Sequence, residues 1–161
     1  MAEAPTTSLD ALRKLTDAGY AFYRDTARQR NDDLFVRARA ADALARAAAR
    51  LAEAVQEARR AMKPPTREQP FADPAQADNI AKLRVTQSRL ASLETRLRGP
   101  AALPDRDFAS VRASPAHCDR LVHLDAALLE AAEAQDVEQR LDALEAALDA
   151  RAALAAWNPA R

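Results

Sequence analysis

Residues 44–62, LARAAARLAEAVQEARRAM, decide the fold. Leu44, Ala48, Leu51, Val55, Ala58 and Met62 are spaced 4, 3, 4, 3 and 4 apart. That alternation places them on one stripe of a helix and defines a coiled-coil seam with small residues between the large ones. The remaining positions are Ala, Arg, Glu and Gln, all good helix formers. The stretch contains no Gly and no Pro to interrupt it.

Working outward, the prolines divide the chain. They fall at Pro5, at 64, 65, 70 and 74, at 100 and 104, at 115 and at 159. Proline lacks the amide hydrogen and clashes with the preceding turn, so it ends helices or opens them. Three proline-free spans result: 6–63, 75–99 and 116–158. In the first, Ser8 is placed to cap a helix, and Leu12, Leu15, Gly19 and Phe22 recur on one face. The stripe lapses at residues 30–33, where Asn31 or Asp32 caps a second helix. Helices are expected over about 8–29 and 32–62, followed by a Pro-rich linker at 63–74.

Asp73 or Asp78 opens the next helix, expected over 76–98. Leu83, Leu90 and Leu97 recur every seven residues, and Leu93 joins them. Gly99-Pro100 is a stop signal, with Gly expected in the left-handed position. The seams on either side of the first linker predict an antiparallel coiled-coil hairpin. A second Pro-rich linker occupies 100–115, where Phe108 and Val111 fit a short covering turn.

The last span carries two frames. Leu121, Leu124 and Leu128 fit one; Val137, Leu141, Leu144 and Leu148 fit the other, offset by one position. A turn at Gln135-Asp136 explains the offset by dividing the span into helices 116–134 and 136–157; a continuous helix with a stutter explains it equally. Trp157 is expected to anchor the tail. The fold class is therefore all-α: an antiparallel coiled-coil hairpin within an elongated bundle of four to five helices, in a single domain over 1–161.

The composition excludes other classes. Alanine supplies 42 of the 161 residues and Leu 19, whereas Gly numbers 2 and Cys 1. A β-sandwich or barrel requires more β-branched residues and turn glycines. Rossmann and P-loop sites require glycine-rich turns that are absent. Cys118 has no partner for a disulfide. Met1–Thr7 shows no basic-then-apolar leader pattern, and no apolar run reaches the length of a membrane span, so a cytoplasmic chain is expected.

Charge is distributed unevenly. Residues 1–62 hold 11 basic and 9 acidic groups, net +2; 63–98 hold 7 and 4, net +3; 99–161 hold 6 and 11, net −5. A basic front and an acidic tail can neutralise each other within one chain or between copies. Ala buries little area, so the core is thin. Either helices approach closely across Ala faces, or a second chain completes the core.

These features predict a non-enzymatic, cytoplasmic protein–protein interaction module, a scaffold or adaptor that forms homo-oligomers and needs no cofactor. The expected seam residues are Leu44, Leu51, Val55, Leu83, Leu90, Leu97, Leu141, Leu144 and Leu148. Tyr20, Phe22 and Tyr23 form an aromatic cluster suited to the core or, if exposed, to partner binding.

Two alternatives carry specific residues. Arg37, Arg46, Arg50, Arg59, Arg60, Arg84, Arg89, Arg96 and Arg98 would serve nucleic acid if they converged, but acids interleave and no aromatics accompany them for stacking. Docking the acidic tail is their other use. A metal-dependent all-α hydrolase would use the tail carboxylates Glu130, Glu133, Asp136, Glu138, Asp142, Glu145 and Asp149. A solvated acidic face accounts for the same pattern. His117, Asp119 and His123 are candidate metal ligands near Cys118, although Asp119 and His123 also fit a surface pair four residues apart. His117 and His123 are poorly placed as a base for Cys118, so an idle or buried thiol is expected.

Overall fold

The computed structural model describes residues 8–25, 27–62, 67, 73–99, 115–136 and 140–156. All regular structure among them is helical, in five helices: α1 (Ser8–Asp17), α2 (Gln29–Ala61), α3 (Pro74–Arg98), α4 (Pro115–Glu133) and α5 (Leu141–Ala156). Linker residues 63–66, 68–72 and 100–114, with Phe108 and Val111, lie outside the described residues, as do Val137, Glu138 and Trp157.

α2, with 33 residues, is the spine of the bundle. At 1.5 Å per residue it is about 50 Å long. It packs most extensively on α3 and next on α4, while α1 lies on α4 and α4 on α5. The C-terminal end of α3 sits beside the first half of α2: Arg37 Nη2 donates to the Arg96 and Gly99 carbonyls at 3.1 and 2.7 Å. Arg98 reaches Asp42 at 2.9 Å. α4 and α5 run in opposite directions, because Asp125 meets Arg151 while residues earlier in α4 meet later ones in α5.

The core is built largely from the expected seam. Leu44, Leu51, Val55, Leu90, Leu97, Leu141 and Leu144 are buried; Leu83 and Leu148 are partly buried against them. Between the large residues lie buried alanines at 40, 41, 43, 47, 131 and 132. Side chains this small let helix backbones approach closely. A core poor in large aliphatics is thereby filled within the single chain.

The ends of the helices depart from expectation in instructive places. α1 stops at Asp17, not near residue 29. Gly19 N–H bonds to the Thr16 carbonyl at 2.9 Å and Tyr20 N–H to the Leu15 carbonyl at 2.9 Å, with Gly19 at φ +85°. This is a Schellman stop with glycine in the left-handed position. Gly19 therefore ends the first stripe rather than belonging to it. α2 accordingly begins at Gln29 instead of residue 32, and Asn31 and Asp32 lie inside it.

α3 begins at Pro74 because Asp73 caps it, its carboxylate accepting the Ala75 N–H at 3.0 Å. Gly99 ends α3 in extended backbone, φ −61° and ψ 176°, not in the left-handed region. A residue before proline favours that extended region. A Cβ at Gly99 would lie 3.3 Å from the Thr95 carbonyl oxygen, so close approach to the last turn is what suits glycine here. The last span is divided into α4 and α5 with a turn at 135–136, and Asp136 pairs with Arg140 at 3.7 Å; the Asp136 cap expected for the second helix falls on residues 137–139, outside the described residues.

Candidate functional site

The most concentrated polar chemistry lies inside the bundle, where the 20–25 turn meets α2, α4 and α5. Tyr23 is fully buried and has φ +62°, a conformation rare for a side chain of this size. Three hydrogen bonds hold it. Its N–H donates to Asp32 Oδ2 at 2.8 Å, its carbonyl accepts from Gln29 Nε2 at 2.8 Å, and its hydroxyl donates to Asp125 Oδ2 at 2.5 Å. Cys118 Sγ adds a weaker donation to the same carbonyl at 3.6 Å. Asp32 also accepts the Tyr20 hydroxyl at 2.7 Å, so one carboxylate fastens both ends of the turn.

Arg151 of α5 completes the cluster. Its Nε donates to Asp125 Oδ1 at 2.6 Å and its Nη2 to the Tyr23 hydroxyl at 3.1 Å. The same Nη2 lies 2.6 Å from Asp33 Oδ1 as an ion pair, at an angle too oblique for a hydrogen bond. Asp33 Oδ2 faces Arg37 at 3.5 Å. Asp33, Asp125, Arg37 and Arg151 are each 5 % exposed or less. With Asp32, three buried carboxylates thus share the interior with two buried guanidiniums.

Burial pushes the Asp125 carboxyl upward; the Arg151 guanidinium and the Tyr23 hydroxyl pull it back. Burial and the neighbouring Asp125 raise the Tyr23 phenol, which stays protonated. The carboxylates around Arg151 outweigh its burial, keeping it charged. Asp125, Arg151 and the Tyr23 hydroxyl bond to one another, while Arg37 Nη2 donates outward to the Arg96 and Gly99 carbonyls. The chemistry of the cluster is that of a clamp joining α2, α4 and α5.

The second feature is at the surface. A groove of about 720 Å³ runs between α4 and α5, lined by Ala116, His117, Arg120, Leu124, Ala150, Ala153 and Leu154. Leu124, expected in the seam with Leu121 and Leu128, lies here because the buried frame of α4 passes through Asp125. Arg120 is exposed and forms no ion pair with the described residues. Burial and Arg120 hold His117 below the usual histidine value.

The third feature is a row of ion pairs across helices. On α3, Arg89 meets Asp142 at 2.7 Å and Glu145 at 3.0 Å, and Arg96 meets Asp149 at 2.6 Å. The basic front and acidic tail therefore do meet, along α3 and α5. The Arg89 guanidinium is held protonated by hydrogen bonds to both carboxylates. Of the arginines singled out from the sequence, Arg37, Arg89, Arg96 and Arg98 are engaged with carboxylates or carbonyls of this chain.

The other candidates are dispersed. Phe22 and Tyr23 are buried and Tyr20 is half-buried, so the aromatic cluster belongs to the core; Phe22 packs edge-on to Tyr20 at 4.6 Å. His117 is buried, His123 is exposed, and Asp119 pairs with Arg24 at 2.9 Å rather than with His123. No group of three ligating side chains forms a metal site among the described residues. The tail carboxylates do not converge: Asp142, Glu145 and Asp149 face α3, while Glu133 accepts from the Leu9 N–H at 3.3 Å. Cys118 is buried, and burial pushes its thiol up, away from nucleophilic character. Asp33, Asp125 and Arg151 were missed as a set. Their signal is a charge on an apolar stripe: Asp125 between Leu121 and Leu128, and Arg151 one heptad after Leu144.

No family model matches this chain, and no curated protein or solved structure is significantly similar to it. No helix among the described residues is long and apolar enough to cross a membrane.

Proposed function

We propose that this chain is a non-enzymatic protein–protein interaction module, a helical scaffold or adaptor that associates with a second copy of itself. The observation that carries the proposal is the charge-matched contact between α3 and α5. Arg89 and Arg96 on one helix meet Asp142, Glu145 and Asp149 on the other. Rows of opposite charge are also how coiled-coil partners are chosen between chains. Burial of Leu51, Val55 and Leu90 where α2 and α3 pack supports reading these two helices as an antiparallel coiled-coil hairpin. The α4/α5 groove supplies the adaptor's second surface. Its apolar lining and the exposed Arg120 suit an acidic amphipathic helix. A chain with a single cysteine, Cys118, suits a reducing compartment such as the cytoplasm.

Mixing donor-labelled and acceptor-labelled populations of the chain tests self-association. Energy transfer that grows on mixing and is chased by unlabelled protein is the expected result. No transfer at concentrations up to the limit of solubility would contradict it.

A further inference from the structure

We propose that the helix received by the α4/α5 groove is the second half of α2 from another copy of this chain, whose Glu53 and Glu57 meet Arg120. The inference rests on the self-association reading and names the two surfaces that meet.

Three observations carry it. First, the groove presents a charge that its own walls do not answer. One wall is Ala116, Arg120 and Leu124, successive turns of α4; the other is Ala150, Ala153 and Leu154 of α5. No carboxylate is among these residues, and α5 carries no acid from 150 to 156. Arg120 is exposed and forms no ion pair with the described residues. Alanine at 116, 150 and 153 keeps the walls low. A third helix can therefore approach both backbones closely, as helices do over the buried alanines of the core.

Second, α2 carries the complementary face. Glu53 and Glu57 are exposed, four residues apart on one side of the helix, and form no ion pair with the described residues. The acidic row of α5, by contrast, already has its arginine partners on α3. Ala49, Ala52 and Gln56 share the Glu53–Glu57 face, so small side chains lie beside the acids. Leu51 and Val55 take the buried side of this segment, which leaves the acidic face outward.

Third, a single chain does not bring the two surfaces together. Arg24 pairs with Asp119, which sets Arg120 beside the turn that precedes α2. Glu53 lies about 36 Å along α2 from Gln29, its first residue, at 1.5 Å per residue. That separation is far beyond the reach of two side chains, so the contact forms between copies. Two copies lying side by side and antiparallel make it twice, each groove receiving the other's α2 about a two-fold axis.

The test uses two charge-reversed forms of the full chain, one carrying Arg120→Glu and the other Glu53→Arg with Glu57→Arg. All three positions are exposed, so helicity by circular dichroism should match the wild type. Alone, each variant sets like charges against each other at both contacts of a homodimer. Its dissociation constant in analytical ultracentrifugation should rise about tenfold or more. Mixed at equal concentration, the two variants regain opposite charges at both contacts, and a one-to-one heterodimer of wild-type strength is expected in native mass spectrometry. The chain with all three reversals should dimerise as the wild type does. Ala153→Trp, which fills the groove, should weaken the wild-type dimer without loss of helicity. A wild-type dimer that these variants leave unweakened would overturn the docking of α2 in the groove and leave self-association through another face. Weakened variants that fail to rescue each other would overturn α2 as the occupant and assign the groove to another segment or a different partner. A monomeric wild type would overturn both proposals.

Discussion

Arg151 ties three parts of the fold together. One guanidinium, 3 % exposed, joins α5 to α2 through Asp33, to α4 through Asp125 and to the preceding turn through Tyr23. Removing one partner of a buried ion pair leaves an uncompensated charge, at a cost of about 3–5 kcal/mol. Arg151→Ala should therefore lower unfolding free energy in urea by that order, and a loss below about 1 kcal/mol would place the cluster at the level of an ordinary surface contact. The triple replacement Asp33→Leu, Asp125→Leu, Arg151→Met should cost less than Arg151→Ala, because no charge is left buried alone. His117 supplies a pH-dependent term. Burial and Arg120 hold it below its ordinary value, so the unfolded chain takes up a proton that the folded chain resists. Its contribution is full above about pH 6.5 and is lost as the pH falls through and below that value. Melting temperatures measured down to pH 5 should decline more steeply for the wild type than for His117→Gln; parallel curves would contradict this. The sequence made the large apolar residues legible but hid the charged core. Asp125 and Arg151 look like members of a solvated acid-and-base surface until their positions on apolar stripes are taken at face value.

At the scale of elements, most of the helices were legible because proline and periodicity act locally. Pro74 and Asp73 fix the start of α3, and the Leu83–Leu97 heptads fix its inward face. The first helix was misjudged because Gly19 falls on the Leu12, Leu15, Phe22 stripe, and the stripe concealed its role as a stop. The left-handed conformation there, φ +85°, is one that side chains rarely adopt. Space is not the constraint, since a Cβ at Gly19 meets nothing within 4 Å. Gly19→Ala should thus destabilise the fold through backbone strain, by about 1 kcal/mol. A substitution neutral in thermal denaturation would mean that the α1 stop does not depend on the left-handed turn. Tyr23, at φ +62°, could not have been read from local sequence. Its conformation is set by Asp32, Gln29 and Asp125, the last of which is 102 residues away.

For the whole molecule, the sequence left two ways to complete a thin core: close helix approach across alanine, or a second chain. The buried alanines at 40, 41, 43, 47, 131 and 132 show the first way in use within one chain. The case for association therefore moves from the core to the recognition of α5 by α3, which composition foreshadowed as a basic front and an acidic tail. Pairing of specific residues was beyond reach, because Arg89 and Asp142 lie 53 residues apart and meet only through the bundle. Exposed charge pairs are screened by salt, so association built on them should weaken as ionic strength rises. The decisive measurement is the solution mass by size-exclusion chromatography with light scattering, over a dilution series at low and high salt. A dimer or larger assembly that dissociates on dilution, and does so at higher concentration in high salt, is the predicted result. A monomer at every concentration in low salt would contradict the account.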